Sequence, residues 1–159
     1  MLSCTGKRSH RHTILHVSFS NSFGLASARP TPQGLSGAPK YMPFVYDEAN
    51  FLTNQKCFIV TGQCMAFLTA FFNSSLFKFC FRDSFPELQG GTRELSKIFF
   101  DKIPVLQVSD SINETFRHIV NKIQASYTKE QARNIDNMLF DLYNLTADER
   151  KVIGYVEIK

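Results

Sequence analysis

The side chains with the most distinctive chemistry are four cysteines, Cys4, Cys57, Cys64 and Cys80, and four histidines, His10, His12, His16 and His118. Zinc needs thiolates and imidazoles at short ligand spacing, and the chain has no C-x-x-C pair and no histidine near a cysteine at such spacing. The thiols therefore read as inert groups in a reducing cytosol, and no metal site is expected. His10, His12 and His16 form a loose N-terminal set that reads as solvated histidines, and His118 stands among helix charges. A metal-dependent nuclease would need an acidic residue followed by Glu-x-Lys. Asp83 with Glu94-Leu-Ser-Lys97 has the wrong spacing and reads as solvated helix charge. The Asn-Pro-Pro-aromatic motif that grips an extruded adenine is absent, as is a Gly-rich loop for a nucleotide cofactor. No catalytic residue is expected in this chain. The basic side chains Lys78, Arg82, Arg93 and Lys97 suit either phosphate contact or solubility. Sequons at Asn73, Asn113 and Asn144 are read as chance, because no signal peptide precedes them.

The elements that would position these groups follow from patterning. The chain has 159 residues, 43% of them hydrophobic, with 16 Phe and no Trp, enough for one domain with a Phe-driven core. The formal net charge of +4 comes from residues 1–40, where five Lys/Arg meet no acid; residues 41–159 hold 13 basic and 14 acidic side chains. Residues 1–40, rich in Ser, Gly, Pro and His, read as a disordered or non-native-like tail, removable by mild proteolysis. An organellar transit peptide has a similar composition, but a bacterial source fits the rest of the chain better. Short β-type runs at 43–47, 50–54 and 57–62 predict a three-stranded meander. Residues 63–82 predict one Phe-rich helix, apolar almost all round. Its interruptions by Gln63, Asn73, Ser74, Ser75 and Lys78 favour a core helix over a membrane span. A loop at 83–92 carries Pro86 and Gly90-Gly91, followed by a short helix from Arg93 to Lys102 and an extended 103–108. Ser111 with Glu114 and Thr128 with Gln131 predict capping boxes for two helices forming a hairpin, and Thr146 with Glu149 caps a last short helix. The expected fold is α+β: a small twisted antiparallel or mixed sheet with a buried Phe-rich helix, then a C-terminal helical hairpin.

Several segments in order resemble the TaqI-like C-terminal specificity domain of bacterial N6-adenine DNA methyltransferases and type IIG restriction–modification enzymes. They are Phe44-Val-Tyr-Asp47, Cys57-Phe-Ile-Val-Thr-Gly62, Leu68–Leu76 with its Phe-Asn-Ser-Ser-Leu, Gly90-Gly91, Phe99-Phe-Asp-Lys-Ile-Pro104 and Ile135–Glu149. The last is similar to a family element ending Leu-Tyr-Gly-Leu-Thr-x-x-Glu, with Asn144 where the family prefers Gly. The resemblance covers most of 43–108 and 131–156. It implies a target recognition domain at 41–108, which reads double-stranded DNA, and a helical spacer or docking element at 109–159. Loop side chains entering the major groove would read base edges. Charge and position suggest Lys78, Arg82, Thr92, Arg93 and Lys97 as the DNA-binding set.

The family's methyltransferase domain, which binds S-adenosylmethionine, is missing from this chain, so no cofactor is expected here. The expected partners are DNA and an adenine methyltransferase domain or subunit, with no membrane, in a bacterial cytoplasm. A rival reading is a protein-interaction remnant that docks on a methyltransferase or specificity subunit without reading DNA. Incubated with duplex DNA, labelled S-adenosylmethionine and magnesium, the pure chain should neither transfer methyl groups nor cut; reproducible transfer by the pure protein would reverse the non-catalytic reading.

Overall fold

A computed structural model describes residues 14–18, 44–48, 57–81 and 103–155. Its elements are β1 (Ile14–Ser18), β2 (Phe44–Asp47), β3 (Cys57–Thr61), α1 (Met65–Asn73), α2 (Ser75–Phe81), α3 (Asp110–Ala125), α4 (Lys129–Leu142) and α5 (Ala147–Ile153). The chain is α+β and mostly helical.

The strands pair antiparallel in the order β2-β1-β3, with His16 opposite Val45 on one side and Ile59 on the other. Two expectations are corrected here. The tail reading of 1–40 fails at residues 14–18, which form the middle strand, and β2 and β3 are not neighbours in a meander. The run Ile14-Leu15-His16-Val17 has β-type residues whose signal is diluted by the surrounding Ser, Gly and Pro. A central position, hydrogen-bonded on both edges, offsets the ordering entropy that composition alone does not. The rest of 1–40 and the run 50–54 lie outside the described residues.

A break at Ser74 divides the expected long helix in two. Ser74 has extended backbone, φ −77° and ψ 162°, and its hydroxyl donates to the Phe71 carbonyl at 2.6 Å while accepting from the Phe77 N–H at 3.1 Å. The Asp136 carboxylate of α4 takes the next amide, Ser75 N–H, at 2.9 Å. Short polar side chains thus outcompete the helical ladder at Asn73-Ser74-Ser75.

At its other end α1 begins from Cys64, whose φ of 54° is left-handed and whose side chain makes no cap. The amide oxygen of Asn113, on α3, accepts from Phe67 N–H at 3.1 Å and supplies that cap from a distance. Ser109 caps α3, accepting from Ile112 N–H, two residues before the Ser111 expected to do so. Thr128 and Thr146 cap α4 and α5 as the sequence predicts, the latter in a full capping box with Glu149. After α4 the Leu145 N–H reaches the Phe140 carbonyl at 2.9 Å and the Asn144 N–H reaches Asp141 at 3.0 Å, with Asn144 at φ 53°. That is a Schellman ending, in which Asn serves where Gly is usual.

α1 is the hub, touching β2, α2 and above all α3, while α4 packs on α2 and α3. Its Phe67 ring meets Phe116 of α3 edge-on at 5.4 Å, and Phe71 touches Phe72, Phe77 and Phe81 and stacks on Tyr143 at 5.8 Å. Each such ring pair contributes about 0.5–1.5 kcal/mol beyond the apolar area it buries. Phe44 brings β2 into the same cluster, 5.2 Å from Phe72.

β2 lies at the edge of the strand order, where its outward backbone groups need partners. Two carboxamides provide them. Asn73 donates to the Phe44 carbonyl at 2.9 Å and accepts from its N–H at 3.4 Å. Gln124 does the same for Tyr46, donating at 3.0 Å and accepting at 2.7 Å. Replacing buried Asn73 with Ala strips partners from β2 and from the Thr69 carbonyl at once. The substitution should cost about 1–3 kcal/mol, read as a lowered urea midpoint; an unchanged midpoint would mean that water replaces the carboxamide there.

Candidate nucleic-acid interface

Of the five residues expected to contact DNA, the structure describes Lys78. Arg82, Thr92, Arg93 and Lys97 lie outside the described residues, as do the expected loop at 83–92 and the helix at 93–102. Lys78 sits on α2, half-buried, and burial lowers the pKa of its ammonium while the negative charge of Asp136 partly opposes that shift. Asp136 itself is 1% exposed. The charge of Lys78 is therefore engaged inside the fold, beside a carboxylate that also closes the start of α2.

What the structure does show is how segment 82–102 leaves and returns. Before it, Phe81 packs on Phe71, with ring centres 6.4 Å apart, and on Phe77 at 5.7 Å. After it, Ile103, Val105 and Val108 pack against the same core, and Leu106 N–H donates to the Tyr143 hydroxyl at 3.3 Å. Tyr143 stacks on Phe71 in turn. Both ends of the segment are thus tied to one aromatic stack between α1 and the end of α4. Burial raises the pKa of Tyr143, with the Leu106 hydrogen bond acting in the opposite sense, so this phenol is a neutral acceptor across the physiological range. Residues 103–108 belong to neither helix nor strand.

The described surface is not cationic: with Asp47 and Asp136 buried, seven acidic side chains accompany seven basic ones. Several of the basic groups are matched locally. Arg117 bridges Glu48 at 3.2 Å and also Glu114, which lies 3.3 Å from His118. The hydrogen bond from Arg117 holds the Glu114 carboxyl below its ordinary range. Arg150 pairs with Asp141 at 2.7 Å, and Arg133 lies over the Tyr155 ring. These exposed pairs contribute little each, but they leave few cations free to face phosphate.

Other side chains acquire defined places. Among the described residues no group of three His, Cys, Asp or Glu side chains could hold a metal, and the Cys64 thiol donates to the Val108 carbonyl at 3.6 Å. No described helix is long and apolar enough to cross a membrane. The sequon asparagines turn out to be structural. Asn73 joins α1 to β2, Asn113 caps α1, and Asn144 takes the left-handed turn after α4. Sequence reasoning missed Asn73, Gln124, Asn113 and Asp136 as backbone partners. The available signal was a short polar side chain set into an otherwise apolar stripe, as Asp136 beside Ile135 and Asn73 after Phe72.

Because burial outweighs the Asp136 attraction, Lys78→Met, which keeps the apolar stem and removes the charge, should leave the urea midpoint unchanged or raise it. It should leave the salt dependence of duplex binding unchanged; a salt slope reduced by about one with unaltered stability would return Lys78 to the phosphate-contacting set.

Comparison of the chain with family models, with curated proteins and with solved structures gave no match.

Proposed function

We propose that this chain is a sequence-reading module for double-stranded DNA, the target recognition part of an adenine-specific methylation or restriction–methylation system, with catalysis supplied elsewhere. In this reading residues 44–48, 57–81 and 103–155 form the scaffold and segment 82–102 carries the reading side chains. The supporting observation is the common anchorage of Phe81 and of 103–108 on the Phe71–Tyr143 stack. A segment of 21 residues tied at both ends to a packed core lets loop side chains enter a groove in a fixed frame. Its residue types suit the task. Arg93 offers a bidentate fork to guanine, Thr92 a hydroxyl for a base edge, and Arg82 and Lys97 charges for phosphate.

The even balance of acidic and basic groups on the described surface favours a second reading, in which the chain docks on a methyltransferase or specificity subunit that makes the phosphate contacts. α4 and α5 present Lys129, Arg133 and Lys151 alongside Glu130, Asp141 and Asp148 on exposed positions, a mixed-charge face suited to a protein partner. The two readings combine if the partner holds the backbone and this chain reads the bases.

Salt-titrated binding to a site-selected duplex, in a reconstituted or fused complex, distinguishes them. Arg93→Ala should relax preference at one base pair, costing roughly 1–3 kcal/mol on the correct site and little on random DNA. Arg82→Ala should weaken both equally and reduce the salt slope by about one. Unchanged preference in Arg93→Ala, together with complex assembly lost on substituting exposed Arg133 or Lys151, would establish the docking reading instead.

A further inference from the structure

The two edges of the sheet differ. On β2 the outer peptide groups of Phe44 and Tyr46 are taken by Asn73 and Gln124. β3 ends the strand order on the other side, and among the described residues no side chain or further strand bonds to its outer edge. It also lacks the usual guards of an edge strand: Cys57-Phe58-Ile59-Val60-Thr61 has no charge, no Pro and no Gly. Val60 packs against the core, whereas Ile59 is 45% exposed and Thr61 is exposed with it.

The strand registers determine which peptide groups of β3 point outward. In an antiparallel ladder, successive residues direct their N–H and C=O to opposite edges of the strand. Phe44 and Tyr46 point away from β1, so Val45 and Asp47 bond to it, at His16 and Ile14. Leu15 and Val17 therefore point to β3, at Val60 and Phe58. The groups left facing outward on β3 belong to Cys57, Ile59 and Thr61.

We infer that the outer edge of β3 is a homodimer interface, at which β3 of a second copy pairs antiparallel with Ile59 opposite Ile59 on a twofold axis. That register sets Cys57 opposite Thr61 at both ends, so each outward residue meets an outward residue and every pair exchanges both N–H···O=C bonds. Such self-complementarity is what a twofold contact requires. Because the strand carries no charge, two copies meet without like charges opposed, and the two exposed Ile59 side chains come to lie side by side. Asn73 and Gln124 close the β2 edge, so the sheet extends in one direction only and assembly stops at two copies instead of growing into a fibre. Five residues a side make a small contact, so the association is weak and the dimer fills between micromolar and millimolar concentration. The pairing uses the sheet alone and holds whether or not the chain reads DNA.

Sedimentation equilibrium of the full chain over that range should show monomer and dimer with no larger species. Ile59→Lys sets two cations opposite one another, and Ile59→Pro deletes an outward donor without touching the ladder to β1. Each should weaken dimerisation at least tenfold with an unchanged helical signal in far-ultraviolet circular dichroism; should one variant lose that signal, the other decides. Ile59→Cys should give a covalent dimer under mild oxidation, because opposed residues of a hydrogen-bonded pair lie about 5.5 Å apart between Cα atoms, within disulfide reach. Peptide mapping should find the link between the two introduced thiols. Three results would overturn the interface: a wild-type chain that stays monomeric to millimolar concentration, dimerisation unaltered in a folded Ile59→Lys or Ile59→Pro variant, or assembly beyond the dimer.

Discussion

Two carboxamides hold the strands to the helices. Asn73 and Gln124 each present a paired donor and acceptor to the backbone of β2, at Phe44 and Tyr46, as a neighbouring strand would. An edge strand packed against helices faces a choice between burying unsatisfied peptide groups and standing off from the core. The amides remove that choice, and only then can the Phe44 ring settle among Phe72 and Phe77. They also seal the edge against unwanted pairing, a task that surface strands often give to charge. Asn113 and Asp136 extend the same device to helix ends, so that four polar side chains, from α1, α3 and α4, fix the relative placement of β2, α1 and α2.

The aromatic cluster depends on that placement. Phe71 touches rings from its own helix, from α2 and from Tyr143 at the end of α4, and Phe67 reaches α3. Ring contacts of this kind are non-directional enough to tolerate small shifts, but not a helix that fails to stop at Ser74. If α1 ran on without a break, Phe77 and Phe81 would rotate away from Phe71 and the anchor for residues 82–102 would go with them. Hydrophobic burial supplies most of the free energy here, while polar groups decide where it is realised.

Legibility in the sequence followed the range of the interactions. Local signals were read well: Thr128 and Thr146 as caps, and the two C-terminal helices α3 and α4, which place Phe116, Val120, Ile123, Ile135 and Leu139 in the core. Features decided by distant partners were not. β1 requires strands far along the chain to justify it, and the break between α1 and α2 requires Asp136 as well as Ser74. Ser109, two residues earlier, takes the capping place expected of Ser111. For the candidate site, Lys78 could be placed on a helix from periodicity, but its neighbour Asp136 could not. The charge pattern alone does not distinguish a solvent-facing lysine from one beside a buried carboxylate.

The closure of α2 by Asp136 also bears on how the chain acquires its structure. Ser75 and Asp136 are 61 residues apart in sequence, so the first turn of this seven-residue helix is completed by a group that enters the chain much later. A helix this short is below the length at which an isolated segment is stable in water. During synthesis α1, nine residues long and capped by Asn113, must wait for α3, and α2 must wait for α4 to be made and docked. Until then the rings of Phe77 and Phe81 have no settled burial, and this stretch is the point of greatest exposure to off-pathway association.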